Sequence, residues 1–169
     1  EYVGIQEMTC SGYEVVETEV ETEEYSNILQ GTTSDRLSIS GDNVAVHTGT
    51  AVKDLGNAFD GDKTTRYALT GSGAHSLTIL LTNSHILRSL VIYPFTDSSD
   101  VNGRSLDTTV DLYIDGVWVQ VTESFALEKG QNTIDLGGIK ADQIRINFNR
   151  DGAVSSMTTI YEIECYGYL

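Results

Sequence analysis

Basic residues are scarce in this chain. Ten Lys and Arg stand against 25 Asp and Glu, a formal net charge of -15, so phosphate backbones and anionic bilayers are repelled over most of the surface. Neither nucleic acid nor membrane insertion is expected. Long apolar runs are missing as well: stretches such as SLTILL, residues 76–81, fall far short of the roughly 20 residues that cross a bilayer, and no basic-then-apolar leader opens the chain. Cysteine occurs twice, at Cys10 and Cys165, without the CxxC or Cys/His spacing that a zinc site or redox pair requires. One long-range disulfide and two unpaired thiols are both open readings, Cys165 sharing strand parity with Ile163. Proline occurs once, at Pro94, and no dozen-residue stretch keeps a 3.6 period with caps, so very little helix is expected. The motifs G-x-S-x-G, H-E-x-x-H, G-x-G-x-x-G and the P-loop are all absent. His47, His75, His85 and many carboxylates could serve as acid or base, yet without such motifs catalysis is not expected of this segment.

What is present reads as one domain: 169 residues are enough for a single core and too few to assume two. A first residue of Glu1 rather than Met leads us to expect a mature product or a piece of a larger protein. Residues 14–24, EVVETEVETEE, hold six glutamates among Val and Thr; alternation permits a strand, whereas the charge favours a solvated linker. We therefore divide the chain into an acidic N-terminal segment, 1–36, read as an edge strand or linker, and a β domain, 37–169. From Leu37 onward short runs of Val, Ile, Leu, Thr and Tyr are punctuated by Gly, Asn, Asp and Ser, the texture of an all-β chain.

Alternation names the strands. Val110, Leu112 and Ile114 face one way and Asp111 and Tyr113 the other; Asp115-Gly116 supplies a tight hairpin turn, after which Val117, Val119 and Val121 continue the apolar face. Leu77, Ile79 and Leu81, then Leu90 and Ile92, then Ile144, Ile146 and Phe148, and finally Ile163 and Cys165 give further faces, with Pro94 at a strand end. The fold class expected is an antiparallel β-sandwich or jelly roll.

One loop stands out chemically: NAFDGDKTTRY, Asn57 to Tyr67. Asp60, Asp62 and Thr65 offer oxygens in a turn that Gly61 makes possible, as a hard cation wants. The order differs from an EF-hand, which needs D-x-D-x-D-G and a glutamate at the twelfth position of its loop. On these residues alone a plain surface turn, a metal loop and a catalytic fragment all remain open.

The same stretch resembles the N-A-x-D-G-[DN]-x-x-T-x-[WY] signature of discoidin domains, the coagulation factor 5/8 type C family, which includes bacterial carbohydrate-binding modules of family 32. SLTILLTNSHILRSLVIYPF, NGRSLDTTVDLYIDGVWVQV, ADQIRINF and YEIECYG resemble later landmarks of that family in order, so the likeness runs from about residue 40 to 167. It implies an eight-stranded, galactose-binding-domain-like jelly roll and a structural Ca2+. The ion's ligands would be the backbone carbonyls of Asn57, Asp62 and Tyr161 and the side chains of Asp60, Thr65 and Glu162. It also suits a disulfide between the two end cysteines, which many animal members carry and most bacterial ones lack.

For ligand, the resemblance implies a sugar on the loops at one end of the sandwich, an aromatic face stacking on the ring while polar groups meet its hydroxyls. The candidates are His75, Phe95, Asp97, Asn102, Arg104 and Arg150. Each has a duller role available: a solvated loop for His75, a core cap for Phe95, an ion pair for Arg104, a polar turn for Arg150. The chain departs from the galactose-binding versions, reading YALT where they carry a histidine and Phe95 where they carry an arginine. Trp118 is expected to pack structurally. The function implied is a non-catalytic, lectin-like module that targets a larger extracellular enzyme or adhesin, secreted or cell-surface attached, to glycans. A protein-binding adhesion domain using the same loops is the alternative; phospholipid binding is disfavoured by the charge.

Overall fold

The computed structural model describes residues 25–34, 43–70, 74–95, 107–149 and 157–169. Ten strands are found among them: β1 Ser26–Asn27, β2 Thr33–Ser34, β3 Val44–His47, β4 Thr50–Lys53, β5 Tyr67–Thr70, β6 His75–Pro94, β7 Asp107–Ile114, β8 Val117–Gln120, β9 Asn132–Asn149 and β10 Met157–Tyr168. The helical content of these residues is one 3-10 turn, Leu55–Ala58. Asp54 caps it, its carboxylate accepting the Gly56 N–H at 2.8 Å, because short polar side chains satisfy the free donors of a first turn.

Hydrogen bonding runs β4-β5-β10-β6-β9-β7-β8, with β1 on β10, β3 on β6 and β2 parallel to β3. Two layers arise because β6 and β9 bend together. Residues 75–80 of β6 pair antiparallel with 148–143 of β9, and 85–92 pair with 141–132, the register breaking between Leu80 and His85. One limb of this ribbon carries β10, β5 and β4; the other carries β3, β7 and β8. Alternation then sends one set of side chains inward from each limb. Leu77, Ile79, Val110, Leu112, Ile144, Ile146 and Phe148 meet Tyr67, Leu69, Leu90, Ile92, Ile160 and Ile163 in a single core. The all-β sandwich is as expected.

Asp115-Gly116 makes the tight hairpin its sequence demands, with φ of 49° and 87°, the doubly positive geometry that matches strand twist. The apolar face beyond it needs correcting. Val117 and Val119 pair with Ile114 and Leu112 but remain 59% and 40% exposed, because β8 is the edge of the sheet and no described residue covers it.

The sandwich takes in residues that composition had assigned to the N-terminal segment. β1 pairs with β10, Leu29 is fully buried, and the Asn27 side chain accepts the N–H groups of Leu29 and Cys165, each at 3.1 Å. Residues 14–24 lie outside the described residues. Cys165 is a free thiol at 0% exposure, and burial pushes its pKa up to about 12; Cys10 lies outside the described residues. Tyr25 and Tyr168 meet with ring centroids 5.8 Å apart, so the two ends of the described chain leave the sandwich together.

The opposite end gathers the strand termini that border 71–73, 96–106 and 150–156. Thr70 pairs with Met157, Pro94 with Ile160, His75 with Phe148 and Asp107 with Asn149.

Candidate functional site

The Asp60–Thr65 loop is a self-bonded turn. Gly61 takes φ of 78°, open to glycine at little cost. Asp60 accepts the Asp62 N–H through Oδ1 and the Thr65 hydroxyl through Oδ2, each at 2.8 Å. The Thr65 hydroxyl also lies 3.0 Å from the Asp62 carbonyl. Asp62 accepts from the Thr64 hydroxyl and N–H at 2.6 and 2.9 Å; the hydroxyl bond foremost holds its carboxyl below the ordinary value. Asn57 turns its amide away to the Arg66 carbonyl, at 3.0 Å.

Glu162 reaches this loop from the last strand. Between Ile160 and Glu162 the register of β10 against β6 slips by one residue, a bulge centred on Tyr161 that lets Ile160, Ile163 and Cys165 share the core face. Glu162 is thereby fully buried, and its Oε2 accepts the Gly61 N–H at 3.2 Å. Oε1 is buried with no hydrogen-bond partner. Burial, foremost, lifts its pKa to about 7; Asp60 and Glu164 lift it further, against the Gly61 N–H and Lys63. A buried carboxylate with one orphaned oxygen, in the field of the Asp60 charge, is a costly arrangement for the protein alone. A hard cation would resolve it, so the donor set of carboxylates, hydroxyl and carbonyls fits one. No group of three His, Cys, Asp or Glu suited to a metal occurs among the described residues.

Of the ligand candidates, Asp97, Asn102, Arg104 and Arg150 lie outside the described residues. Phe95 closes the end of β6, its N–H donating to the Thr159 carbonyl at 3.0 Å. Its ring meets Tyr161 at 5.2 Å, and the Arg66 guanidinium sits 4.6 Å from its centroid. His75 opens β6 and is buried, at 5% exposure, so the solvated-loop reading is replaced by a sheet position. It lines a cavity of about 270 Å3 with Thr48, Ser76, Thr109, Asn147 and Asn149. The two halves of the expected site thus differ: Asp60, Thr65, the Asp62 carbonyl and Glu162 gather about the Gly61 turn, while His75 and Phe95 stand on different limbs of β6.

Sequence reasoning passed over Arg66 and Lys63, although both stand inside NAFDGDKTTRY. Lys63 bonds Glu164 at 3.0 Å and lies 3.8 Å over the Tyr93 ring; Tyr93 foremost, with Glu164, holds its ammonium above the ordinary value.

This geometry and fold define a class. The chain belongs to the F5/8 type C domain family, which matches residues 38–163. Among solved structures it is similar to the family 32 carbohydrate-binding module of C. perfringens NanJ in complex with galactose, at 23% identity and TM-score 0.61 over 73% of this chain and 93% of that one. It is similar too to chitosan-binding module 1 of a chitosanase/glucanase from Paenibacillus sp. IK-5, at 18% identity and TM-score 0.65 over 84% and 99%. The lectin domain of lectinolysin complexed with Lewis B antigen matches at 15% identity and TM-score 0.64 over 83% and 95%. No curated protein matches the chain.

Proposed function

We propose that this chain is a non-catalytic carbohydrate-binding module whose loop end meets a glycan and whose fold is clasped by Ca2+. The observation that carries the reading is the convergence of strand termini with the exposed-side stack of Phe95, Tyr161 and Arg66 beside the acidic loop. An aromatic ring beside hydrogen-bonding groups suits a sugar, which has apolar C–H patches and hydroxyls. Family membership and the neighbours solved with galactose and Lewis B antigen support this class of ligand. The cation would be held by Asp60, Thr65 and Glu162 with the carbonyls of Asn57, Asp62 and Tyr161. It would supply charge neutralisation between the carboxylates and tie the loop to the last strand.

In this reading the module is extracellular and brings a larger enzyme or adhesin to a glycan surface, the linkage raising local concentration. The test is binding to a glycan array with calcium present. Saturable hits that Phe95→Ala weakens by about tenfold, the loss of one stacking contact, support it; a blank array at high protein concentration overturns it in favour of a protein partner.

A further inference from the structure

The outer face of the β7–β9 limb carries a side-chain network that neither the core nor the Phe95–Tyr161–Arg66 stack uses. The pairing sets Asp111 opposite Arg145, Thr109 opposite Asn147 and Tyr113 opposite Trp118, and alternation keeps all six off the core, where Val110, Leu112, Ile144 and Ile146 sit. Asp111 is nonetheless only 6% exposed. Three donors converge on its Oδ2: Arg145 Nε at 2.9 Å, Arg145 Nη2 at 2.6 Å and Asn147 Nδ2 at 3.0 Å. Asn147 Nδ2 also donates to the Thr109 hydroxyl at 3.2 Å. Among the described residues Oδ1 of Asp111, Nη1 of Arg145 and Oδ1 of Asn147 make no hydrogen bond. The Arg145 guanidinium lies 4.2 Å from the Trp118 ring centroid, and Tyr113 meets that ring at 5.2 Å, tilted by 57°.

We propose that this face is a second carbohydrate-binding surface, distinct from the loop end, that takes an uncharged oligosaccharide. A carboxylate oxygen, a guanidinium N–H and an amide oxygen held side by side are one acceptor, one donor and one acceptor. That set meets neighbouring sugar hydroxyls, which both donate and accept. The half-buried Trp118 and Tyr113 rings stand beside this polar set, and an aromatic surface next to hydrogen-bonding groups suits a sugar's C–H face. The network is fixed before any ligand arrives, so little ordering is lost on binding. The Asp111–Arg145 pair is internally neutral and the chain carries -15 overall, which selects an uncharged chain over a uronate or sialylated one. Toward the loop end, Thr109 and Asn147 also line the cavity of about 270 Å3 that includes His75, giving a second ring somewhere to rest. The inference shares with the proposed function only the class of ligand.

Trp118 is the sole tryptophan, so its emission reports this face directly. Cello-, xylo-, manno- and chitohexaose are titrated singly into the intact chain with calcium present. The expected result is a saturable change in emission with one of them, weakened about tenfold in Asp111→Asn and in Asn147→Ala, the loss of one charge-assisted or neutral bond with its neighbour left unpaired. Both variants are scored only after their melting midpoints have been matched to the parent under the same buffer. Survival of the response in Phe95→Ala, whatever that variant does to array binding, is expected of a separate surface. Emission unmoved by all four probes, or equal affinity in both folded variants, overturns the proposal, even where array binding at the loop end stands. A Trp118 response to peptides alone overturns it as well.

Discussion

Glu162 carries the most informative chemistry of any single residue. A carboxyl raised from 4.5 to about 7 in the folded state binds more protons folded than unfolded between those values. In chelator, stability therefore falls as pH rises from about 4.5 to 7 and levels off above it. Glu162→Gln is expected to flatten that slope, read as denaturation midpoints across the pH series. Calcium should reverse the trend, because the deprotonated carboxylate is the form that ligates. Added at neutral pH in excess, the ion should raise the melting midpoint of the parent by linkage and leave Asp60→Ala unmoved. An equal midpoint with and without chelator in the parent would remove the cation from the account. Asp60 was legible as part of an oxygen-rich turn, but Glu162, which bonds the Gly61 N–H of that turn, stands on the last strand; only family resemblance joined them, since no local pattern encodes which distant strand lies beneath a loop. The same holds for Asp111 and Arg145, whose outward parity was readable and whose meeting was not.

At the level of the element, β10 shows how one strand serves core and site together. Its bulge at Tyr161 lifts Glu162 toward the loop, and a second register shift lies between Tyr166 and Gly167. A Cβ on Gly167 would come 2.5 Å from the Ile86 carbonyl oxygen, a backbone atom that cannot swing aside. Gly167→Ala should therefore cost about 1–3 kcal/mol of stability, the usual penalty of overpacking, seen as a lower denaturant midpoint. Strand faces read from alternation tell which side chains share a surface, yet not whether that surface is covered. Val117 and Val119 have the right parity and still face water, because coverage depends on sheet order. The bulges were invisible for a related reason: a one-residue slip changes parity without leaving a turn signal in YEIECYG.

For the whole molecule, the decisive feature is that β6 and β9 belong to both layers. Sequence reading took Leu77, Ile79 and Leu81 and then Leu90 and Ile92 as separate faces, whereas the ribbon with β9 resumes on both sides of the break between Leu80 and His85. Because the two layers share β6 and β9 and so the longest run of pairing in the sheet, they are expected to unfold together. Trp118 emission reports one limb and reaction of the Cys165 thiol the other, and the two should give coincident denaturant curves; separated midpoints would show independent layers.

The paired exits at Tyr25 and Tyr168 bear on mechanics. Tension drawn through a polypeptide joined at both places would load the two-residue pairing of β1 with β10 as a zip opened from its tab, one rung after another. That rung pair would yield before the long central ribbon felt the pull, and the far rim, holding whatever it grips, would stay in shape while its tether lengthened.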